Sequence, residues 1–240
     1  MAARTRQGGD TPGNTILDSL PADERARLSP HLTLVNLPIK TVLFEPGARI
    51  DSVHFPLDGV ISLVTALEDG MIVEVATIGN EGIVGVPVRA GGTLAVRAIS
   101  QVEGRGLRMP IEIFIEQERQ DGPLADVVRR YAQALFGQIS QAAACNRLHS
   151  NEERLSRWLL MSHDRVGIDA FSITHEFLGQ MLGSRRATVT LSAGVLQAAG
   201  LIRYQRGHVT IVDRRGLEAV SCECYAVIKK ELDRVLQPDA

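Results

Sequence analysis

Residues 171–214 read FSITHEFLGQMLGSRRATVTLSAGVLQAAGLIRYQRGHVTIVDR, and the fold follows from them. Thr174 is placed to cap a short helix that carries Leu178 and Leu182. Gly179 is small where two helices would cross, and Gly183 can take the positive φ that ends one helix and turns the chain. Ser184 then reads as the cap of a second helix, from Arg185 to about Ala199. That helix would bury Val189, Val195 and Leu196 and leave Arg185, Arg186, Ala187, Thr190 and Leu191 on its outer face. A small residue, a turn glycine four positions on and a buried valine six positions beyond that form the steric pattern of a helix-turn-helix. Leu201–Gln205, Arg206-Gly207-His208 and Val209–Val212 then read as a two-stranded hairpin. A helix-turn-helix followed by a hairpin is a winged helix.

The charge distribution agrees with a phosphate-binding role for this stretch. The chain has 240 residues with 26 basic and 28 acidic side chains, a net charge of −2. Between 171 and 215, however, Arg185, Arg186, Arg203, Arg206, Arg214 and Arg215 face only Glu176 and Asp213, a local balance of +4. Two arginines at the start of the second helix suit bidentate contacts to guanine O6 and N7 in a major groove. Ser184, Thr188, Arg203 and Arg206 suit phosphates, and the helix N-terminus adds its own positive end. The expected DNA-binding set is therefore Thr174, Ser184, Arg185, Arg186, Ala187, Thr188, Thr190, Arg203 and Arg206.

Upstream the pattern differs. Residues 1–14, rich in Gly, Thr, Arg and Pro, read as an arm without apolar period. Ile16, Leu17, Leu20 and Leu28 suggest one or two short helices capped by Asn14 or Thr15. Strand runs follow at 41–44, 52–55, 60–64, 72–75 and 94–96, separated by Pro46-Gly47, Asp58-Gly59, Asp69-Gly70, Gly79-Asn80 and Gly91-Gly92. Turns every 10–12 residues or so indicate an antiparallel β-roll over 15–120 rather than βαβ units. From Asp121 to 148 a long helix is expected, with Pro123 near its first turn. Leu124, Val128, Tyr131, Leu135, Gln138, Ala142 and Cys145 follow steps of four and three, a narrow seam. The seam can lie on its own domain or pair with the same helix of a second subunit. The second reading makes Leu124, Val128, Tyr131, Leu135, Ala142 and Cys145 a dimer interface. Residues 149–240 complete an α+β chain as a winged-helix DNA-binding domain.

The segment 171–214 resembles the winged helix of the CRP/FNR family of bacterial transcription regulators. HFPLDGVISLV (54–64), EVATIGNEGIVG (74–85) and CECY (222–225) resemble a branch of that family with no assigned nucleotide. The resemblance implies a β-roll of the cyclic-nucleotide-binding type, a long dimerisation helix and a homodimer on double-stranded DNA. RNA polymerase becomes a candidate partner, and the effector stays unidentified. Arg186 falls where members place a base-reading Arg, but the usual following Glu is Ala187 and a second base-reading Arg is Leu191. In nucleotide-binding members a Gly-Glu pair and a downstream Arg hold the cyclic phosphate. Here Gly85 stands near the Glu position and no Arg follows in the turn after Gly92, so a cyclic phosphate would lack its partner. Arg89 and Arg97 could serve only in a different register.

Other chemistry is expected to be absent. The family's N-terminal cysteine cluster has no counterpart, because the three cysteines are Cys145, Cys222 and Cys224. On a helix, a Cys-Glu-Cys spacing would separate two side chains by about 200°, so the cysteines read as small buried hydrophobes and no metal or cofactor is expected. His31, His54, His149, His163, His175 and His208 show no metal-ligand grouping. Gly79, Gly82 and Gly85 form a turn set and not a dinucleotide fingerprint. No catalytic signature appears, and no membrane span or secretory leader is visible, so the expected setting is the cytoplasm. Two further readings stay open: a ligand-sensing module with no DNA output, and a thiol redox sensor.

Overall fold

The computed structural model describes residues 13–68, 70–86 and 92–236. Arg4, Arg6 and most of the expected arm lie outside them, as do Asp69, Arg89 and Gly91. Helix α1 (Thr15–Asp18) is capped by Asn14, whose side chain accepts from Ile16 N and Leu17 N. Its amide also donates to the Pro56 and Gly82 carbonyls, which pins the entry of the chain to the roll. After α2 (Ala22–Leu28) and one 3-10 turn come β1 (Thr33–Leu37), β2 (Val42–Phe44), β3 (Ser52–Pro56), β4 (Val60–Ala66), β5 (Ile72–Ile78), β6 (Arg97–Val102) and β7 (Gly104–Pro110). They form two antiparallel sheets, ordered β1-β7-β3 and β2-β6-β4-β5. Leu37, Val53, Phe55, Ile61, Leu63, Ile78, Ala98 and Met109 from both sheets share one core, as expected of a roll.

The expected strand at 94–96 is corrected: that apolar run is a bend, and the strand begins at Arg97. Periodicity also misses β1, β6 and β7. Strand β7 reads GRGLRMP, which shows no alternation of its own, yet it lies between β1 and β3 and pairs with both. Its place is set by those neighbours and not by its propensity.

The second half begins with α3 (Ile111–Glu118) and the long α4 (Pro123–Leu148), with Pro123 in its first turn. Then come α5 (Asn151–Val166), β8 (Ala170–Ser172), α6 (His175–Leu182), α7 (Arg186–Ala198), β9 (Ile202–Gln205), β10 (His208–Ile211), α8 (Arg214–Ala219) and α9 (Cys224–Leu236). The hairpin is three-stranded, in the order β8-β10-β9. Helix α9 leaves the winged unit and packs along α4, so Leu232 and Leu236 join the roll's core.

The expected dimer seam needs correction. Leu124, Val128, Tyr131 and Leu135 are buried in the core of their own roll, and Gln138 donates to the Thr77 carbonyl of β5. Ala142 and Cys145 are buried too, with Cys145 facing Cys222. A heptad seam states that a partner surface exists but not which chain supplies it. The opposite face of α4 is the open one: Arg129, Gln133, Phe136, Ser140, Ala143 and Arg147 recur in steps of four and three and are all exposed or half-buried. Phe136 keeps 72% of its surface in solvent.

Candidate nucleic-acid interface

The helix-turn-helix is built as its sequence requires. Thr174 caps α6 by accepting from Phe177 N at 3.1 Å. Gly183 ends α6 with φ 57°. A Cβ on Gly179 would lie 2.8 Å from the Ser184 carbonyl oxygen, so the turn folds back directly over this position. The core under the pair comes from Phe177, Leu178, Met181, Leu182, Val189, Ala193 and Leu196, packed on Trp158, Leu159 and the hairpin's Ile202, Val209 and Ile211.

Three details differ from the sequence reading. Helix α7 begins at Arg186, and its N-cap Arg185 makes no side-chain cap bond. Ser184 does not cap it; the Ser184 hydroxyl instead bonds Asn151 Oδ1 in the first turn of α5. Val195 is exposed, and Ser192 and Ala193 are buried with Val189 and Leu196. Positions 189, 192, 193 and 196 follow the i, i+3, i+4, i+7 rule, whereas residue 195 falls about 240° from 189 and leaves the face.

The first turn of α5 holds the reading unit from behind. Ser150 and Glu153 form a capping box. Asn151 accepts from Ser184, Glu152 accepts from Ser192 at 2.7 Å, and the buried Arg154 guanidinium donates to the Leu182 carbonyl at the end of α6. Arg154 thus supplies a charged donor to the C-terminal end of α6, where the Ser184 hydroxyl also lies 3.4 Å from the same carbonyl.

On the outer side, Thr174, Arg185, Arg186, Ala187, Arg203, Arg206 and Thr190 are exposed, while Ser184 and Thr188 are half-buried. Arg185, Arg186, Arg203 and Arg206 make no ion pair among the described residues. Arg214 differs: it is bound to Asp164, Glu218 and the Tyr225 hydroxyl, so it belongs to the scaffold and leaves the expected cluster. Arg206 (φ 50°) and Gly207 (φ 80°) form the two-residue turn at the wing tip, both central residues left-handed as a primed hairpin turn requires.

A contact that pattern reading misses joins the wing to the helices. The His175 ring stacks on Tyr204 with centroids 4.0 Å apart. His175 Nδ1 lies 3.0 Å from Thr190 Oγ1, and the Tyr204 hydroxyl donates to the Ile173 carbonyl. Burial first, then the nearby Arg186 guanidinium, hold the imidazole below its ordinary pKa, so the ring is neutral beside the arginine. Thr190, expected on the reading face, is thus partly engaged at home: it also donates to the Arg186 carbonyl.

In the roll, Arg97 is paired with Glu45 at 2.7 Å. Gly85 takes φ 102° and packs near the Ser52 carbonyl. Among the described residues no helix is long and apolar enough to cross a membrane.

Residues 153–220 match the family model of the Crp-like helix-turn-helix domain. The global nitrogen regulator of Synechocystis sp. is 26% identical over 185 residues, 72% of this chain and 80% of the relative. Among solved structures, FixK2 of Bradyrhizobium japonicum superposes with a TM-score of 0.68 at 13% identity, covering 80% of this chain and 98% of that one. A CRP-family transcriptional regulator from Thermus thermophilus gives 0.63 at 18%, covering 78% and 96%. At these identities the structures establish the common fold, while the matched helix-turn-helix establishes the DNA-binding class. Residues 153–220 thus carry a Crp-like helix-turn-helix, on a chain that shares its fold with a solved CRP-family transcriptional regulator.

Proposed function

We propose that the protein acts in the cytoplasm as a homodimer whose two α7 helices enter successive major grooves of a two-fold symmetric site. The observation that carries this reading is the set of four exposed arginines without ion-pair partners among the described residues, two at the start of α7 and two on the wing, on one helix-turn-helix. Arg186 reads base edges. The free N–H groups of the first turn of α7, together with Arg203 and Arg206, take phosphates. The dimer forms through the exposed face of α4 that carries Phe136, Ser140, Ala143 and Arg147, where small side chains let two helices approach. Half-sites then lie about one helical turn, 10–10.5 bp, or a multiple of it apart. The roll is the place for an effector, and RNA polymerase is the partner if the bound regulator activates.

The test begins with selection of bound sequences from a random duplex pool at fixed salt, which should return a palindrome. On that site, Arg186→Ala should cost about 1–3 kcal/mol and relax one base position, whereas Arg206→Ala should weaken all sequences alike and lower the salt slope by about 1. Equal losses for Arg186→Ala on selected and random DNA would remove its base-reading role.

A further inference from the structure

Helix α4 ends at a cluster that plays no part in the DNA interface. Cys145 and His149 sit one helical turn apart at that end, and Cys222 and Cys224 reach them from the start of α9. One potential ligand atom from each of the four lies within 4.8 Å of all the others. The sulfurs of Cys145 and Cys222 are 3.5 Å apart, and His149 Nδ1 is 3.5 Å from Cys224 Sγ. The 200° separation expected of a helical Cys-Glu-Cys does not arise, because α9 begins at Cys224 and Cys222 lies outside the helix. His149 is ungrouped in the sequence because two of its three partners are more than seventy residues away.

We propose that Cys145, His149, Cys222 and Cys224 bind a single soft divalent cation, of which zinc is the type. Four ligands at Zn–S of about 2.3 Å and Zn–N of about 2.0–2.1 Å stand at tetrahedral edges of roughly 3.8 Å or slightly less. The observed separations bracket that edge, so the donors need contract by only about 1 Å at most. A polynuclear cluster would spread the sulfurs over separate metal atoms and require a wider cage. The three cysteines are buried and form a cluster of their own, which gives a closed site with four protein ligands.

The surroundings support the same assignment. His149 Nε2 lies 3.2 Å from Glu223 Oε2. A proton on Nε2 directed to that carboxylate leaves the Nδ1 lone pair facing the thiols, the usual outer support of a metal-bound histidine. Gln141 Nε2 lies 3.1 Å from Cys224 Sγ and can donate to it. Binding M²⁺ to three thiols and a neutral imidazole releases three protons and leaves the site with a charge of −1. The guanidiniums of Arg154 and Arg157, 7% and 6% exposed, make no ion pair among the described residues and stand within electrostatic range of Cys145. They can offset that charge. An occupied site would clasp the end of α4 to the start of α9, immediately before the α5 turn that holds the helix-turn-helix.

The experiment uses the full-length chain, purified with a non-thiol reductant, stripped of metal, and titrated with Co²⁺ and then Zn²⁺. We expect about one ion per chain, thiolate-to-cobalt charge-transfer and tetrahedral ligand-field bands, and displacement of Co²⁺ by Zn²⁺. Cys222→Ser with Cys224→Ser should abolish the bands. His149→Ala, at the half-buried C-cap of α4, should weaken binding at least tenfold while the thermal transition of the apo chain stays in place. Less than a tenth of an ion per chain in the reduced protein would overturn the proposal. So would a Cys145–Cys222 disulfide persisting under reductant, or unchanged cobalt spectra in the double variant. None of these readouts involves DNA, so failure here is distinct from failure of the DNA-binding reading.

Discussion

Replacing Phe136 by Ser separates the two faces of α4. A phenylalanine carries about 200 Å² of surface, and Phe136 is 72% exposed in the single chain. If a second copy covers it, about 145 Å² leaves water per subunit, worth roughly 3.6 kcal/mol at 25 cal/mol/Å² and about 7 kcal/mol for the symmetric pair. Association recovers only part of such area, so we expect a net loss of about 3–4 kcal/mol, a dimer dissociation constant roughly 100- to 1,000-fold larger. Unfolding temperature should change little in a fully dissociated sample, because the side chain touches solvent in the isolated chain. Leu135→Ser is the companion variant. Leu135 is buried in the roll's core, so its loss should cost about 2–5 kcal/mol of folding stability instead. Sedimentation equilibrium over a wide concentration range, paired with thermal unfolding of each variant, reads both quantities. A Phe136→Ser protein that dimerises like the parent, beside a Leu135→Ser protein that is folded but monomeric, would overturn the assignment and restore the buried seam as the interface.

Two further outcomes follow from burial. His54 is desolvated in β3, with Arg108 adding a smaller effect in the same direction, and its pKa falls to about 4 from 6.5. The unfolded chain therefore takes up a proton that the folded chain refuses between those values. Stability is lost as pH falls through that window, by about 3 kcal/mol in all. Unfolding of the parent and of His54→Gln across pH 7 to 4 should diverge by that amount, and parallel curves would exclude it. Gly179→Val should abolish DNA binding while the roll still melts cooperatively. Its Cβ would meet the Ser184 carbonyl oxygen at 2.8 Å, and overpacking against backbone costs about 1–3 kcal/mol locally. A gel-shift of the variant matching the parent would count against the tight crossing.

The helix-turn-helix is legible in the sequence because its constraints are local: a cap at Thr174, a small Gly179, a left-handed Gly183 and an i, i+3, i+4, i+7 face. Val195 departs from expectation because apolar identity alone does not put a residue on that face; its angle around the helix does. The roll is legible as a class from its turns, but β7 is not, since two glycines and two arginines form a central strand only when β1 and β3 flank them. The expected interface on α4 illustrates a limit of periodicity. A seam of buried positions carries no label for the chain that buries it, and the roll claims Leu124, Val128, Tyr131 and Leu135 first. The cysteine–histidine cluster is hidden for a similar reason, because contacts between residues 145–149 and 222–224 belong to tertiary structure.

Two of the joints between the roll and the winged half lie at opposite ends of α5. One is the end of α4, where Cys145 and His149 precede the capping box at Ser150 and the Asn151, Glu152 and Arg154 side chains that hold α6 and α7. The other is a buried polar chain between the sheet and α5. Burial raises the Glu74 carboxyl pKa. A protonated Glu74 can donate to Ser62 Oγ, whose hydrogen then goes to Gln101 Oε1, while Gln101 Nε2 donates to Ser162 of α5 at 2.8 Å. Arg165 adds bonds to Glu81 and the Thr77 carbonyl, and Val73 of β5 packs against Gly183 in the helix-turn-helix turn itself. Each group in this chain is desolvated, so breaking one bond leaves an unpaired partner at a cost of about 1–3 kcal/mol. Such a joint resists small displacements and yields only to a ligand with unequal affinity for two arrangements of α5. The polar chain runs through Ser62 of β4, Glu74 of β5 and Gln101 of β6, so a displacement of that sheet reaches α5 directly, whereas β1, β7 and β3 form the other sheet.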